Sequence, residues 1–405
     1  MSSDSTPSTT GPLAGVKVLE VAGEASAWAG RLLADLGADV VLVEPPGGHH
    51  TRTWGPFVDD VADPEKSLWF WHYHASKESV VVDLASPAGQ ARFRQLAADA
   101  DVLIESESPK RIAELLGDRP ARLIHAAITP QGQQGRDDLP VTDLTILAAG
   151  GPVWSCGYDD HSIPPVRGGG NQGFQTGCHY AVMGILTALV AREVTGRGQF
   201  VDVSLLASSN VTTEFGSYGW LTAQETVLRQ TGRHAARRRT GPTQMLCADG
   251  RHLNNAAAAR RGYEFKSLAS WIQDLGLADE FDEFGVLQLG EDIDFISMAD
   301  MEEDSLKGEI FGAGRDAIRF LATKLPAYDL FLGLQQRGLP AGIVYAPEEV
   351  MTDPHFVARG FPTAIEHEGL GRSVLYTGAP IRFVGSPGGP RRRAPHLGEH
   401  DSQHP

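Results

Sequence analysis

Residues 16–44 read VKVLEVAGEASAWAGRLLADLGADVVLVE, and this stretch decides the fold. A short apolar run opens it, a segment with helical periodicity follows, and a second apolar run closes it. Two parallel strands joined by a crossover helix explain this order, because the helix returns the chain to the same edge of a sheet. The stretch therefore predicts a βαβ unit.

The same alternation continues downstream. Apolar strand patterns occur at SVVVDL (79–84), DVLIE (101–105) and RLIHAAI (122–128), and a helix is predicted from Pro87 to Ala98. Strands and helices in this order predict an α/β fold with a Rossmann-like, doubly wound and mostly parallel sheet. No GxGxxG follows the first strand, so a dinucleotide site of the usual kind is not expected.

The character of the chain changes after Leu205. Residues 207–239 are predicted to be helical and polar, residues 263–324 are acidic and rich in helical patterns, and the last eighty residues return to strand and turn patterns. We therefore predict a disordered tail over residues 1–12 and a large α/β domain over 13–215. Linker helices and a smaller domain are predicted over 216–325, and a return to the large domain over 326–405.

Composition excludes several classes of protein. The formal net charge of −16 over 405 residues argues against nucleic acid as a partner, because phosphate neutralisation requires a basic field. The three cysteines have no CxxC spacing, so neither a disulfide framework nor a zinc site is predicted. The first residues lack the pattern of a signal peptide, and the apolar runs look too short to span a membrane. We expect a cytoplasmic protein that binds no membrane and no metal.

A second stretch indicates a family. Residues 168–204 read GGGNQGFQTGCHYAVMGILTALVAREVTGRGQFVDVS, and this stretch resembles the signature of the class III coenzyme A transferases. That superfamily contains formyl-CoA transferase, carnitine CoA-transferase and 2-methylacyl-CoA racemase. Separate motifs in the family's order support the resemblance, among them LLADLGADVVLVEPPGG (32–48), YHASKESVVVDLASPAG (73–89), GLPAGIVYAPEEVMTDPHFVARG (338–360) and APHLGEH (394–400).

The resemblance implies an architecture and a substrate. It implies a large α/β domain built from both chain ends, a smaller domain inserted between them, and two chains interlocked as a dimer in which each active site draws on both subunits. It also implies a coenzyme A thioester as substrate, with no permanently bound cofactor.

The family's nucleophile has no counterpart in this sequence. In the family, an aspartate stands four residues before the glycine that matches Gly177, and Gly173 occupies that position here. The racemase branch adds a histidine in a GHD segment, where this chain has Thr142 followed by Asp143. The alanine run 256–259 stands near the position of a mobile glycine-rich loop in the transferases, and alanines predict a stiffer segment.

The resemblance also selects candidate site residues. Arg52 and Lys77 match a family arginine and a family lysine, and both are predicted to contact CoA phosphates. The family's NFRPG reads SESPK (106–110) here, and its AGP reads ASA (25–27), so part of the CoA site is altered. Asp143, His179 and Glu214 are alternative catalytic groups, each more easily explained as structural.

Three functional hypotheses follow. The favoured one is a subunit of a heteromeric class III CoA-transferase that moves CoA from an acyl-CoA donor, such as succinyl-CoA, to a carboxylic acid. A paralogous partner subunit would supply the aspartate, as in benzylsuccinate-type CoA-transferases. The alternatives are a homodimeric enzyme that processes acyl-CoA by chemistry without an aspartyl intermediate, and a non-catalytic protein that binds CoA esters.

Overall fold

A computed structural model describes residues 11–133, 135, 140–255, 258–297, 299–300 and 305–404. The predicted tail over residues 1–12 lies outside the described residues except for its last two positions. Residues 256 and 257 of the alanine run lie outside them as well.

The chain forms two compact units. The first contains both ends of the chain and consists of Met1–Ser155, Pro165–Thr226 and Met351–Pro405. The second is inserted into it and consists of Cys156–Pro164 and Val227–Val350. The chain passes between the units at 155/156, 164/165, 226/227 and 350/351. The last two crossings come later than the predicted boundaries at 215/216 and 325/326, which stay a prediction.

The first unit carries eight strands and nine helices among its described residues. Its strands are β1 (Lys17–Val21), β2 (Asp39–Glu44), β3 (Glu78–Val81), β4 (Val102–Glu105), β5 (Ile124–Thr129), β6 (Phe200–Ser204), β12 (Pro362–His367) and β13 (Arg372–Thr377). Its helices are α1 (Ala27–Asp35), α2 (Leu68–His74), α3 (Pro87–Asp99), α4 (Pro109–Leu116), α5 (Asp143–Gly150), α6 (Gln172–Thr195), α7 (Leu205–Asn210), α8 (Glu214–Ala223) and α13 (Pro354–Arg359).

Six parallel strands form the central sheet, in the order β3-β2-β1-β4-β5-β6. This is the doubly wound order, in which the direction of strand addition reverses between β1 and β4. The predicted α/β fold with a Rossmann-like parallel sheet is confirmed. The reversal opens a crevice at the carboxyl ends of β1 and β4, where α/β proteins usually bind their ligands.

Both faces of the sheet are buried because successive strand side chains point in opposite directions. Val18 and Ile104 pack with Leu33 of α1 and Ile185 of α6 in one core cluster. Their strand neighbours pack with α3 and α4 in a second cluster, which includes Leu19, Leu103, Phe93 and Ile112. The apolar runs of the sequence therefore form strands of a sheet that is covered by helices on both faces.

Helix α6 is the longest described helix, and it begins at Gln172. By length and composition it is apolar enough to cross a membrane, which corrects the expectation that no apolar run is long enough. The core helix of a soluble domain meets the same criterion, and α6 packs against β5 and α1.

The second unit has its own core. It contains the hairpin β7 (Leu228–Gln230) and β8 (Arg233–Ala236), the antiparallel strands β9 (Gln244–Leu246), β10 (His252–Asn254) and β11 (Gly342–Ile343), and the helices α9 (Gly262–Asp274), α10 (Phe284–Leu289), α11 (Ser305–Lys324) and α12 (Ala327–Gln336). Phe265, Leu268, Ile318, Leu321 and Leu330 are among the buried residues of this core.

The prediction of helix throughout residues 207–239 is wrong in its second half. The helices end at Ala223, and the chain then forms the β7–β8 hairpin. Gly232, with a φ of 62°, lies in the turn of this hairpin, and a positive φ suits glycine because it has no Cβ. Pairing between neighbouring strands outweighed the weak helical pattern.

The C-terminal segment packs along the edge strand β3 in the first unit. The Ser79 amide donates to His400 Nδ1, and the Val81 amide donates to the Asp401 carboxylate. The Glu78 carboxylate accepts from Arg392 and hydrogen-bonds to His404. The edge strand is thus covered rather than left open to other chains.

Candidate active site

Gly173 lies buried in the first turn of α6. A Cβ atom built on it would stand 3.1 Å from Asp143 Oδ1, 3.2 Å from Leu147 Cγ and 3.3 Å from Ile146 Cγ2. Such distances are closer than ordinary van der Waals contact between side chains. A side chain at position 173 would thus point at the N-terminal half of α5, whose side chains would have to shift by a few tenths of an ångström to admit it.

Asp143 makes the closest polar contact with this turn. Its Oδ1 accepts hydrogen bonds from the amides of Gly173 at 2.7 Å and Phe174 at 3.0 Å, and its side chain is 5% exposed. Arg167 Nη1 stands 3.3 Å from the other carboxylate oxygen. A carboxylate at a helix N-terminus pairs with free amides and with the positive end of the helix dipole.

The N-terminus of α6 therefore takes its cap from another helix. The residue before the helix, Asn171, makes no side-chain cap hydrogen bond. Thr142, which stands where the racemase histidine was expected, caps α5 instead: its Oγ1 accepts from the Thr145 amide at 3.3 Å. Asp143 follows as the first residue of α5 and reaches across to α6. Both residues thus have structural partners.

His179 and Glu214, the other alternative catalytic residues, occupy exposed positions. His179 lies on α6, and its Nε2 accepts from Trp28 Nε1 at 3.4 Å. Partial burial lowers the pKa of His179 below its ordinary value, so the ring is neutral at pH 7. Glu214 opens α8 and is exposed. Of these three candidates, Asp143 alone is hydrogen-bonded to Gly173 within the part of the chain that the structure describes.

Arg52 is held by carboxylates in this structure. Its guanidinium donates to both oxygens of Glu44, at 2.8 and 2.7 Å, and to Glu65 at 3.0 Å. The guanidinium also lies 3.9 Å from the centre of the Phe70 ring, and the side chain is 2% exposed. A buried two-point pair of this kind is costly to break. The contact of Arg52 with a CoA phosphate stays a prediction, and the pair counts against it.

Lys77 is also paired with a carboxylate. Its Nζ is fully buried, 2.7 Å from Glu20 Oε2, 2.9 Å from the Ala27 carbonyl oxygen and 3.1 Å from His74 Nδ1. Burial raises the pKa of Glu20 to about 7, although Lys77 opposes this, and burial lowers the pKa of Lys77. Gly30 allows the pair to form, because a Cβ there would collide with Glu20 Oε2. The predicted CoA contact of Lys77 stays a prediction.

The two altered motifs meet at the crevice between β1 and β4. Ser26, which follows β1, and Ser106, which follows β4, are joined through their hydroxyls at 3.1 Å. Glu24, two residues before Ser26, is half-buried, and burial together with the charge of Asp143 raises its pKa. Glu107 pairs with Arg111 one turn further along α4. The crevice thus carries hydroxyls and carboxylates where the family motifs carry an arginine.

Sequence reasoning missed some residues around the start of α6. Arg167 supports Asp143, Gln175 Nε2 donates to the Tyr73 hydroxyl at 3.1 Å, and Trp28 contacts His179. The aromatic density of residues 69–74 was a usable signal for Tyr73. No local pattern pointed to Arg167 or Gln175, because their partners lie far away in the chain. Among the described residues, no group of three or more His, Cys, Asp or Glu side chains is placed to hold a metal ion.

Comparison with known proteins decides the family. The model of CoA-transferase family III matches residues 13–401. The chain belongs to this family. It is 29% identical to the succinyl-CoA:(R)-benzylsuccinate CoA-transferase subunit BbsE of Thauera aromatica, over 95% of this chain and 91% of that protein. It is also 29% identical to the succinate–glutarate CoA-transferase of Agrobacterium fabrum, over 98% of this chain and 96% of that protein.

The fold of this family III chain also matches a solved structure. A CAIB/BAIF family protein from Brucella suis superposes with a TM-score of 0.75 at 26% identity, over 97% of this chain and 98% of that one. Family III enzymes exchange CoA between acids, so CoA thioesters are the substrates of the family. The family membership expected from residues 168–204 is confirmed.

Proposed function

We propose that this chain is a subunit of a heteromeric CoA-transferase whose nucleophilic aspartate comes from a paralogous partner subunit. The observation that carries this proposal is the closed first turn of α6, where Asp143 fills the space in front of Gly173. A glycine has no group that can attack a thioester, and a side chain in its place would crowd Asp143 and its neighbours on α5. The chemistry must then be centred on another chain.

The exposed face of α6 supports a partner at this place. Tyr180, Met183, Val190 and Val194 are exposed along α6, with Thr187 in line between them. Their spacing of three and four residues places them on one stripe of the helix. No charged residue occurs from Gln172 to Ala191. A continuous apolar stripe of this kind suits a second protein chain, and we assign it to the partner transferase subunit, in an interlocked dimer.

A relative that is itself a subunit supports a subunit role. The protein of Thauera aromatica is named as a subunit of its transferase, and it uses succinyl-CoA. The protein of Agrobacterium fabrum exchanges CoA between succinate and glutarate. By analogy, we take succinyl-CoA as the donor for the complex of this chain.

The reaction requires one carboxylate and the CoA thiolate. The aspartate of the partner attacks the thioester carbonyl, the C–S bond breaks, and CoA is released as thiolate while a mixed anhydride forms between the aspartate and the donor acid. The thiolate attacks the aspartyl carbonyl, and the donor acid leaves as a carboxylate. The acceptor carboxylate then attacks the aspartyl thioester and expels the thiolate, which leaves a second mixed anhydride between the aspartate and the acceptor. The thiolate attacks the acceptor's acyl carbon of this anhydride, which forms the new thioester and releases the aspartate. This chain contributes surface and packing to that site, and we expect the complex in the cytoplasm.

Co-expression tests the proposal. This chain is produced alone and together with a family III paralogue that carries aspartate at the position equivalent to Gly173. Transfer of CoA from succinyl-CoA to benzylsuccinate or glutarate is followed by chromatography of the CoA esters. We expect no transfer by this chain alone and transfer by the pair.

Two controls sharpen the test. Replacing the paralogue's aspartate with asparagine must abolish transfer by the pair, and hydroxylamine must label only the paralogue when succinyl-CoA is present. Full transfer by this chain alone, or hydroxylamine labelling of this chain, would overturn the proposal.

A further inference from the structure

A cavity of about 510 Å³ lies in the first unit between the end of β12 and the C-terminal segment, and we call it the C-terminal cavity. Residues 391–393, all three of them arginine, line one side of it, and Glu366 and Glu368 line another. Side chains alternate along a strand, so Glu366 points outward between the buried side chains of Ile365 and His367. The C-terminal cavity therefore receives positive groups from one segment and carboxylates from a second.

Arg391 is held in place without being neutralised. Its Nη2 donates to the carbonyl oxygens of Ala34 at 3.2 Å and Ala38 at 3.3 Å, at the C-terminal end of α1 and just beyond it. Carbonyl oxygens orient a guanidinium but leave its full charge in place. Within the described residues, Arg391 forms no ion pair with a carboxylate. The other N–H groups of its fork can therefore donate to an anion from outside the chain.

The backbone beneath Arg391 is fixed by a strained residue. Ser76 is fully buried and has a φ of 66°, a left-handed conformation that residues with a Cβ seldom adopt. Its Oγ accepts hydrogen bonds from the amides of Arg391 at 2.8 Å and Arg392 at 3.4 Å, and its own amide donates to the Arg392 carbonyl oxygen at 3.0 Å. Strained backbone of this kind is most frequent at functional sites, where it keeps side chains ready for a ligand.

The other cations that line the C-terminal cavity are already paired. Arg393 donates to both oxygens of Glu399, at 2.8 and 2.7 Å, and Arg392 donates to Glu78 at 3.0 Å. The ammonium of Lys77 is buried in an ion pair of its own. Because these charges are balanced inside the chain, Arg391 is the cation that remains for a ligand.

Glu366 and Glu368 supply the opposite charge. Both side chains are exposed, and neither forms an ion pair or a side-chain hydrogen bond in the part of the chain that the structure describes. No ion pair joins them to Arg391, so their oxygens lie more than 4.0 Å from its nitrogens. A simple ion would be attracted by one of these segments and repelled by the other. A molecule with opposite charges at its two ends satisfies both.

From this geometry we propose that the C-terminal cavity binds a small ω-amino acid. Its carboxylate accepts from the remaining N–H groups of Arg391, and its ammonium donates to Glu366 and Glu368. An ω-amino acid carries the two charges at opposite ends of a chain, so it can span the gap between the two segments. The volume of the cavity is that of a small-molecule site. The proposal goes beyond the proposed function and does not rest on it, because neither Gly173 nor the serines of the crevice line this cavity.

Four small molecules of matched size test the charge pattern. Binding of 5-aminopentanoate, its isomer 2-aminopentanoate, pentanoate and pentylamine to the full chain is measured by ligand-observed NMR titration. All four share one carbon chain, and only 5-aminopentanoate has opposite charges at its two ends. We expect it to bind at least about tenfold more tightly than the other three, since none of them can make both charged contacts.

Variants locate the binding site. Arg391→Gln should lower the affinity for 5-aminopentanoate about tenfold and leave that for pentylamine unchanged. The double variant Glu366→Gln/Glu368→Gln should cause a similar loss and leave the affinity for pentanoate unchanged. Because both glutamates are exposed, this variant keeps the test decisive if Arg391→Gln does not fold. Arg372→Gln on β13 and Glu114→Gln on α4 are the controls, since both residues are exposed and lie outside the cavity lining.

Several results would overturn the proposal. They are equal binding of the two isomers, binding of pentanoate or pentylamine as tight as that of 5-aminopentanoate, and binding of none of the four. An affinity that survives both cavity variants, or that falls equally in the two controls, would show attraction by surface charge in general and overturns it as well. No CoA ester takes part, so the result is independent of the co-expression test of the heteromeric transferase.

Discussion

At the scale of single residues, Gly173 and Asp143 depend on each other. The Asp143 carboxylate lies against the first turn of α6 because residue 173 has no side chain in the way. In return, it satisfies two amides that would otherwise be buried without an acceptor. The glycine is therefore more than the loss of one functional group. It belongs to a packing arrangement between α5 and α6.

Restoring an aspartate at position 173 tests this dependence. We expect Gly173→Asp to destabilise the fold by about 1–3 kcal/mol, because the new side chain overpacks the contact with α5 and places a second carboxylate beside Asp143. Urea denaturation followed by tryptophan fluorescence measures the loss. We also expect no transferase activity from this variant alone.

Gln172→Asp is the matched control for this variant. Gln172 is exposed in the same helical turn, so its carboxylate faces water at the positive end of the helix. The free energy of unfolding of the Gln172→Asp variant should be equal to or above that of the unchanged protein. If the urea concentration at the midpoint of unfolding were the same for Gly173→Asp as for the unchanged protein, the overpacking argument would be contradicted.

At the scale of elements, α6 has two apolar faces with different partners. One face, with Phe174, Cys178 and Ile185, packs on the central sheet. The other carries the exposed stripe from Tyr180 to Val194, and Val190 is 70% exposed in this structure. A surface helix normally presents polar residues to water. The second face therefore indicates a contact with another chain.

A charge on this stripe should weaken that contact. Val190→Glu is expected to lower the affinity for the aspartate-bearing partner at least about tenfold, since a carboxylate would be buried unpaired in the interface. The stability of the chain alone should stay within about 0.5 kcal/mol. Size-exclusion chromatography and calorimetric titration with the partner measure the two effects.

Val384→Glu is the control, since Val384 is 97% exposed and lies outside α6. Equal affinity for Val190→Glu and Val384→Glu would contradict the assignment of the stripe. Adsorption of the unchanged chain to phospholipid vesicles, lost in Val190→Glu, would instead assign this face to a membrane.

At the scale of the whole molecule, buried ionisable groups make stability depend on pH. Burial lowers the pKa of His49 and His72 to about 4 each, and the pKa of His74 well below its ordinary value. These histidines stay neutral in the folded protein, whereas they take up protons in the unfolded chain below about pH 6.5. Their contribution to stability is present above that pH and is lost as the pH falls towards 4.

Glu20 acts in the opposite direction. Its raised pKa of about 7 means that its contribution is fully present below its unfolded value, near 4.5, and is lost as the pH rises through 7. Burial also lowers the pKa of His179, His367 and His400 and raises the pKa of Glu24 and Asp35. Between pH 4.5 and 6.5, six histidines therefore oppose three carboxyl groups. The histidines win, and the stability of the protein should fall as the medium becomes more acidic.

We expect the free energy of unfolding to decrease from pH 6.5 to pH 4.5, each histidine contributing a slope of at most about 1.4 kcal/mol per pH unit. His72→Gln should reduce the slope of the unfolding free energy with pH, because the unfolded variant takes up one proton fewer. His355→Gln, at an exposed position on α13, should leave the slope unchanged. Urea titrations at several pH values measure it. A slope of zero or of opposite sign in the unchanged protein would contradict this assignment of the buried groups.

Much of the molecule follows from local patterns in the sequence. The period of the apolar residues predicts β1 to β5 and the helices α1 and α3, and a proline marks the start of α3. These features are local, because each depends on residues only a few positions apart. The parallel sheet then follows from the alternation of strands and helices. The motif in residues 168–204 led to the family because it, too, is a local pattern of neighbouring residues.

The roles of single charged residues were decided only by the tertiary structure. Asp143 meets Gly173 over a separation of 30 residues, and Lys77 meets Glu20 over 57. Motif matching predicted phosphate contacts for Arg52 and Lys77, whereas folding brings each to a buried carboxylate. A local pattern cannot show such pairs, because a salt bridge depends on which distant element arrives beside it. The sequence by itself thus determined the α/β sheet and the family, and the packing of distant segments decided which of its charged groups remain available for chemistry.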